Sequence, residues 1–80
     1  MNNPSRAKSD TEKELDAMAA SEIKRHIKAE MLKNNIDMAT VAERLTAMGR
    51  VISEQGLKNK ISTCKHQTTW YWDLMKKIKE

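Results

Sequence analysis

Eighty residues, with fifteen Lys and Arg against eleven Asp and Glu for a formal net charge of +4, set the scale. Chains this short bury only about 60–65% of the surface they expose when unfolded, which leaves one modest core and excludes a two-lobed enzyme with a deep cleft. The single cysteine, Cys64, cannot close an intrachain disulfide, and with His26 and His66 far from it no tetrahedral zinc site is available, so no cofactor or metal is expected.

The charge is unevenly placed. Residues 1–23 hold three basic and five acidic side chains; residues 24–80 hold twelve and six. A basic body suits a polyanion, either nucleic acid or an anionic membrane surface, while a mild lysine excess on an ordinary solvated surface is the plainer explanation. The polar start Met1-Asn2-Asn3-Pro4-Ser5-Arg6 carries no apolar signal region, and no run approaches the roughly 18 apolar residues of a membrane span. The cytoplasm is the expected compartment.

Residues 1–9 read as a disordered tail, polar and without periodicity. Residues 10–20 read as an acidic, weakly helical extension, and residues 21–80 as the domain proper. Ser9-x-x-Glu12 and Thr11-x-x-Glu14 both fit a capping box, in which a hydroxyl and a later carboxylate each satisfy an orphan backbone N–H. Leu15, Ala19, Ile23, Ile27 and Met31 recur every four residues and are expected to face one core. One long helix and two shorter ones broken near Ser21 both fit this stripe. Asn34-Asn35 ends the segment, since Asn tolerates a left-handed cap.

A second helix starts after Asp37 as N-cap, with Ile36 and Val41 placed for a hydrophobic staple, and runs to about Met48 before Gly49. Val51 and Ile52 are expected to plug the core from the turn. Ser53 caps a third helix, Glu54 to about Ser62, with Leu57 and Ile61 inward and Glu54 complementing the helix dipole. A fourth helix begins near Gln67 or Thr68, with Tyr71, Leu74, Met75 and Ile78 as its apolar face. The expected core is Ile23, Ile27, Met31, Val41, Ala42, Leu45, Leu57, Ile61, Tyr71, Leu74 and Ile78. No segment alternates as a strand does.

Residues 38–61 therefore read as helix, turn, helix, with the small Ala42 allowing a close crossing. The segments Ile27-Lys28-Ala29-Glu30, Val41-Ala42-Glu43-Arg44-Leu45 and Leu57-x-Asn59-Lys60-Ile61 resemble a family of small bacterial proteins with a lambda-repressor-like fold, catalogued as a domain of unknown function. The resemblance covers about residues 21–78 and implies an all-α, four- to five-helix helix-turn-helix domain. In that family the last motif runs on as x-Arg-Gly, where Thr63 and Cys64 stand here. The missing Gly takes away an expected sharp turn, and the missing Arg a phosphate contact. The turn between the second and third helices is several residues longer than in the phage repressors. Trp70 and Tyr71 stand where the family has bulky aromatics.

With Leu57 and Ile61 inward, about 100° of rotation per residue puts Asn59 nearly opposite the buried face, with Gln55, Ser62 and Thr63 beside it and Lys58 and Lys60 on the flanks. Gln and Asn pair bidentately with adenine in the major groove, and lysines suit phosphates. Gln55, Asn59 and Ser62 are thus the candidate base contacts, and Arg50, Lys58, Lys60 and Lys65 the candidate phosphate contacts; a polar solvated helix face is the plainer account of the same residues. Gly56 falls on the outer side, where it would let backbone approach a phosphate.

The expected function is sequence-specific binding of double-stranded DNA, as a bacterial or phage transcriptional regulator, with a homodimer on a two-fold site as the way to useful affinity. No small-molecule substrate, membrane partner or enzymatic activity is expected. The rival is a protein-interaction module that keeps the fold without DNA binding, favoured by the acidic stretch from Asp10 to Asp16. Trp70-Tyr71-Trp72 followed by Lys76-Lys77-Ile78-Lys79 also fits an interfacial membrane helix, but a chain without Phe needs Trp70 and Tyr71 in its core, while Trp72, about 100–200° away on the wheel, is left to cover the first helix or to form a subunit contact.

Overall fold

Ser9 caps the first helix: its Oγ accepts from the Glu12 amide at 3.2 Å, and a single uninterrupted helix follows, α1 (Asp10–Lys33). No Gly or Pro interrupts this stretch, and Ala17, Ala19 and Ala20 favour helix through the place where a break was an alternative. The computed structural model describes residues 9–80, so the tail expected over residues 1–9 lies outside the described residues except for Ser9, which caps α1. Three more helices follow: α2 (Met38–Met48), α3 (Glu54–Thr63) and α4 (Thr68–Lys79). Among the described residues there is no strand, no fifth helix, and no helix long and apolar enough to cross a membrane.

The helix ends are where the sequence signals placed them. Past Lys33, the Asn35 amide bonds Leu32 O at 3.1 Å and the Ile36 amide bonds Met31 O at 3.0 Å, with Asn35 left-handed at φ 52°. This satisfies the orphan carbonyls and folds Ile36 back toward Met31. Asp37 Oδ1 accepts from the Thr40 amide at 2.8 Å, and hydrogen bonding from Thr40, side chain first and backbone second, holds its carboxyl below the ordinary value. Gly49 at φ 113° repeats the arrangement after α2, with the Arg50 amide on Leu45 O at 2.9 Å. Ser53 Oγ accepts from the Gly56 amide at 3.0 Å.

α4 packs on both α1 and α2, and α2 carries α3. Ile27, Val41, Leu45, Leu57, Leu74 and Ile78 are the largest fully buried side chains, joined by Met31, Ala42, Ile61, Trp70 and Met75. Burying an aliphatic or aromatic side chain of this size contributes roughly 1.5–3 kcal/mol. Two polar ties fasten α2 to the far end of α4: the Arg44 guanidinium donates to Lys77 O at 2.9 Å and lies 3.8 Å from the Glu80 carboxylate.

Several expected positions differ. Ile23 and Tyr71 are half-buried at the core edge, whereas Trp70 and Met75 of α4 are buried, in line with the need for aromatic volume and with the apolar face expected there. Tyr71 stacks on the His66 ring, centroids 5.8 Å apart; partial burial first, and Glu30 second, push its phenol pKa up. Leu15 and Ala19 are exposed, because a four-residue repeat advances about 40° per step and has left the core side by the time it reaches Leu15. Val51 is 83% exposed. The Ile52 amide and carbonyl both engage Thr46 Oγ1, at 3.2 and 3.1 Å, which turns Ile52 against the core and leaves its neighbour outside.

Candidate nucleic-acid interface

α3 meets the body through Leu57 and Ile61, and the turns around it are fixed by short polar contacts. Its opposite face presents Gln55, Lys58, Asn59 and Ser62, all exposed. Gln55 Nε2 donates to Asn59 Oδ1 at 3.0 Å across one helical turn. That bond orients the Asn59 amide and leaves its NH2 free to donate outward. Thr63 Oγ1 donates back to Asn59 O at 3.0 Å, so the hydroxyl closes the last turn of the helix and is not directed at a ligand.

The four basic candidates have different surroundings. Lys58 lies 3.3 Å from Glu54, one turn N-terminal to it, with both side chains about half exposed. A surface pair in this order is worth about 0.3–0.5 kcal/mol, little enough for a phosphate to displace. Lys60 Nζ sits 4.9 Å from the Trp70 ring centroid, a cation–π contact that fixes its stem against α4. Lys65 is exposed in the α3–α4 connector, on the rim of a groove of about 520 Å3 whose other wall carries Asp16 of α1. Arg50 is engaged: its Nε donates to Asp73 Oδ2 at 2.7 Å. The structure thus brings Gln55, Lys58, Asn59 and Ser62 onto one surface. It sets Lys60 against α4, Lys65 in the connector beyond α3, and Arg50 in a tie to α4.

Gly56 differs from expectation. It is half-buried, and a Cβ there would meet Ser53 Oγ at 3.1 Å and Ile52 Cγ1 at 3.3 Å. The missing Cβ leaves room for the α2–α3 turn to close on the helix. The turn after α3 also forms without glycine, since Cys64 itself adopts the left-handed conformation at φ 54° and its amide bonds Ile61 O at 3.2 Å. The aromatic platform under Lys60 was missed by sequence reasoning; only the docking of α4 beside α3 reveals it.

Clefts elsewhere are shallow. One of about 490 Å3 lies between α2 and the start of α3 and is lined by Glu43 and Glu54 among mostly small residues. Its acidic walls repel phosphate. Among the described residues no cluster of His, Cys, Asp or Glu could hold a metal ion.

A family model described as "Domain of unknown function (DUF6471)" matches residues 19–80, and the chain belongs to that family. The match begins inside α1, so the acidic first turns of that helix fall outside it. No curated protein and no solved structure matches the chain.

Proposed function

We propose that this member of the DUF6471 family is a lambda-repressor-like helix-turn-helix domain that binds double-stranded DNA through the outer face of α3, as a cytoplasmic transcriptional regulator. The observation that carries the reading is the helix pair α2–α3. α3 buries only Leu57 and Ile61 and exposes a row of Gln55, Lys58, Asn59 and Ser62 with an oriented amide in its middle. A helix so presented fits the major groove, which admits one α-helix, and the Asn59 amide has the donor needed for a base edge. Lys58, Lys60 and Lys65 supply the phosphate contacts in this reading.

Selection from a random duplex library at low salt tests it. An enriched sequence whose recovery is lost with Asn59→Ala supports the reading; no enrichment, together with no salt-sensitive binding to any duplex, rejects it.

A second reading, a protein-interaction module on the same fold, is favoured by the acids beside the basic candidates. Glu54 on Lys58, Asp73 on Arg50 and Asp16 across the groove from Lys65 all lower the positive potential that a polyanion would meet. It becomes the account of the chain if the duplex selection fails.

A further inference from the structure

The side of α1 turned away from the body is patterned. Thr11, Leu15, Met18, Glu22, Arg25, Ala29 and Leu32 follow one another in alternating steps of four and three, and every one is exposed. Leu15, Met18 and Leu32 are 58%, 61% and 84% exposed, three large apolar side chains turned to solvent on the same side of one helix. The core side of the same helix is marked by Ile27 and Met31. At about 100° per residue, Met18, Arg25 and Ala29 fall within roughly 20° of the point opposite Ile27. Alternating steps of three and four are the seam of a helix pair, and among the described residues no helix covers this side of α1, since α4 packs on its core side.

We propose that α1 pairs with α1 of a second copy as an antiparallel two-helix seam. The occupant follows from complementarity. With Leu15 set opposite Leu32 of the second copy, Met18 falls opposite Ala29, and Glu22 opposite Arg25. The two-fold axis then repeats these layers in reverse, as an isologous interface requires. The layers from Leu15 to Leu32 are all matched: Leu on Leu, a long side chain on a short one, and the only charges in the seam on opposite charges; Thr11 falls past the end of the other helix. Glu12 lands near Lys33 of the second copy, and the acidic first turns, Asp10 to Glu14, lie along the other helix's basic end. A parallel pair would instead put Glu22 on Glu22 and Arg25 on Arg25, so direction and register are specified together. One helix pair is a small interface, which places the complex among weak, concentration-dependent dimers. This interface does not rest on the DNA-binding reading and stands or falls separately.

Sedimentation equilibrium of the full chain over about 1 µM to 1 mM, the range of weak association, reads it directly. The expected result is a reversible monomer–dimer equilibrium. Glu22→Arg and Arg25→Glu should each weaken it by at least about tenfold, because each sets like charges face to face. The double variant, Glu22→Arg with Arg25→Glu, should restore it to within about threefold, the scatter expected when a matched pair is exchanged for its mirror. Both positions are exposed on the helix, and thermal unfolding of each variant monitored by circular dichroism confirms that the monomer fold is kept. A monomer at every concentration overturns the proposal. So does a dimer indifferent to the single substitutions, or one that the double substitution fails to restore.

Discussion

Arg50 Nε lies 2.7 Å from Asp73 Oδ2, and Lys76 Nζ lies 3.2 Å from the other oxygen of the same carboxylate, so the turn between α2 and α3 is pinned to α4 by one half-buried acid. The hydrogen bond from Arg50 first, then that from Lys76, holds the Asp73 carboxyl below its ordinary value of 3.8. A carboxylate with a lowered folded-state pKa contributes stability that is present above its unfolded value and is lost as pH falls through its folded value. Wild-type protein should therefore lose stability from about pH 5 downward. Asp73→Asn should be less stable at neutral pH and should lose less over the same descent. Urea midpoints at a series of pH values check this; parallel pH profiles for the two proteins would show that the pair contributes nothing. Asp37 and Glu80, also lowered by their partners, add to the same acid loss in both proteins and cancel in the difference.

The phase of α3 makes a second prediction. Leu57→Ala should cost about 2–5 kcal/mol, as for a fully buried leucine whose neighbours relax only in part. Val51→Ala, at a side chain once expected in the core, should stay within about 0.5 kcal/mol, the usual range for a surface change. Denaturant unfolding measures both, and equal costs would mean that the turn is built differently.

Cys64 closes α3 in a conformation that suits glycine. Cys64→Gly should stabilise the protein by about 0.5–1 kcal/mol, the left-handed penalty less the extra chain entropy that glycine loses on folding. Cys64→Ala keeps the penalty and should show no such gain. Thermal melts of the two variants distinguish a backbone effect from loss of the thiol.

On duplex DNA, Lys58, Lys60 and Lys65 should act as three phosphate contacts, giving a slope of log affinity against log salt near −2.7, from roughly −0.9 for each. Lys58→Ala should weaken all duplexes alike and bring the slope about one unit nearer zero. Asn59→Ala should cost about 1–3 kcal/mol on a selected site and little on random duplex. Asp73→Asn releases Arg50 and should make the slope steeper by about one contact. Filter binding or fluorescence anisotropy at several salt concentrations supplies all four numbers.

The helix ends were legible because each is written in a few adjacent residues: Ser9 with Glu12, Asn34-Asn35, Asp37, Gly49 and Ser53 act through contacts within one turn. The inward residues of α2 and α3 were equally plain, since each helix has one apolar side. What escaped was set by packing between helices. That Tyr71 stays at the core edge while Trp70 fills the interior depends on where α4 crosses α1 and α2 and on the His66 ring that receives Tyr71. Following the four-residue repeat along α1 concealed the second, exposed stripe through Leu15, Met18 and Leu32. The outer residues of α3 were placed on one face from spacing alone. That Arg50 is tied to Asp73 and Lys60 to Trp70 are relations between distant segments, which no local pattern carries.

Backbone amide chemical shifts, followed while the full chain is titrated with a duplex recovered by selection, test the central claim most directly. The account predicts perturbations concentrated on residues 54–65, strongest at Gln55, Lys58, Asn59 and Ser62 and reduced across that face by Asn59→Ala. Absence of any shift at low salt, or shifts concentrated on α1 and α4 with α3 unchanged, would contradict it.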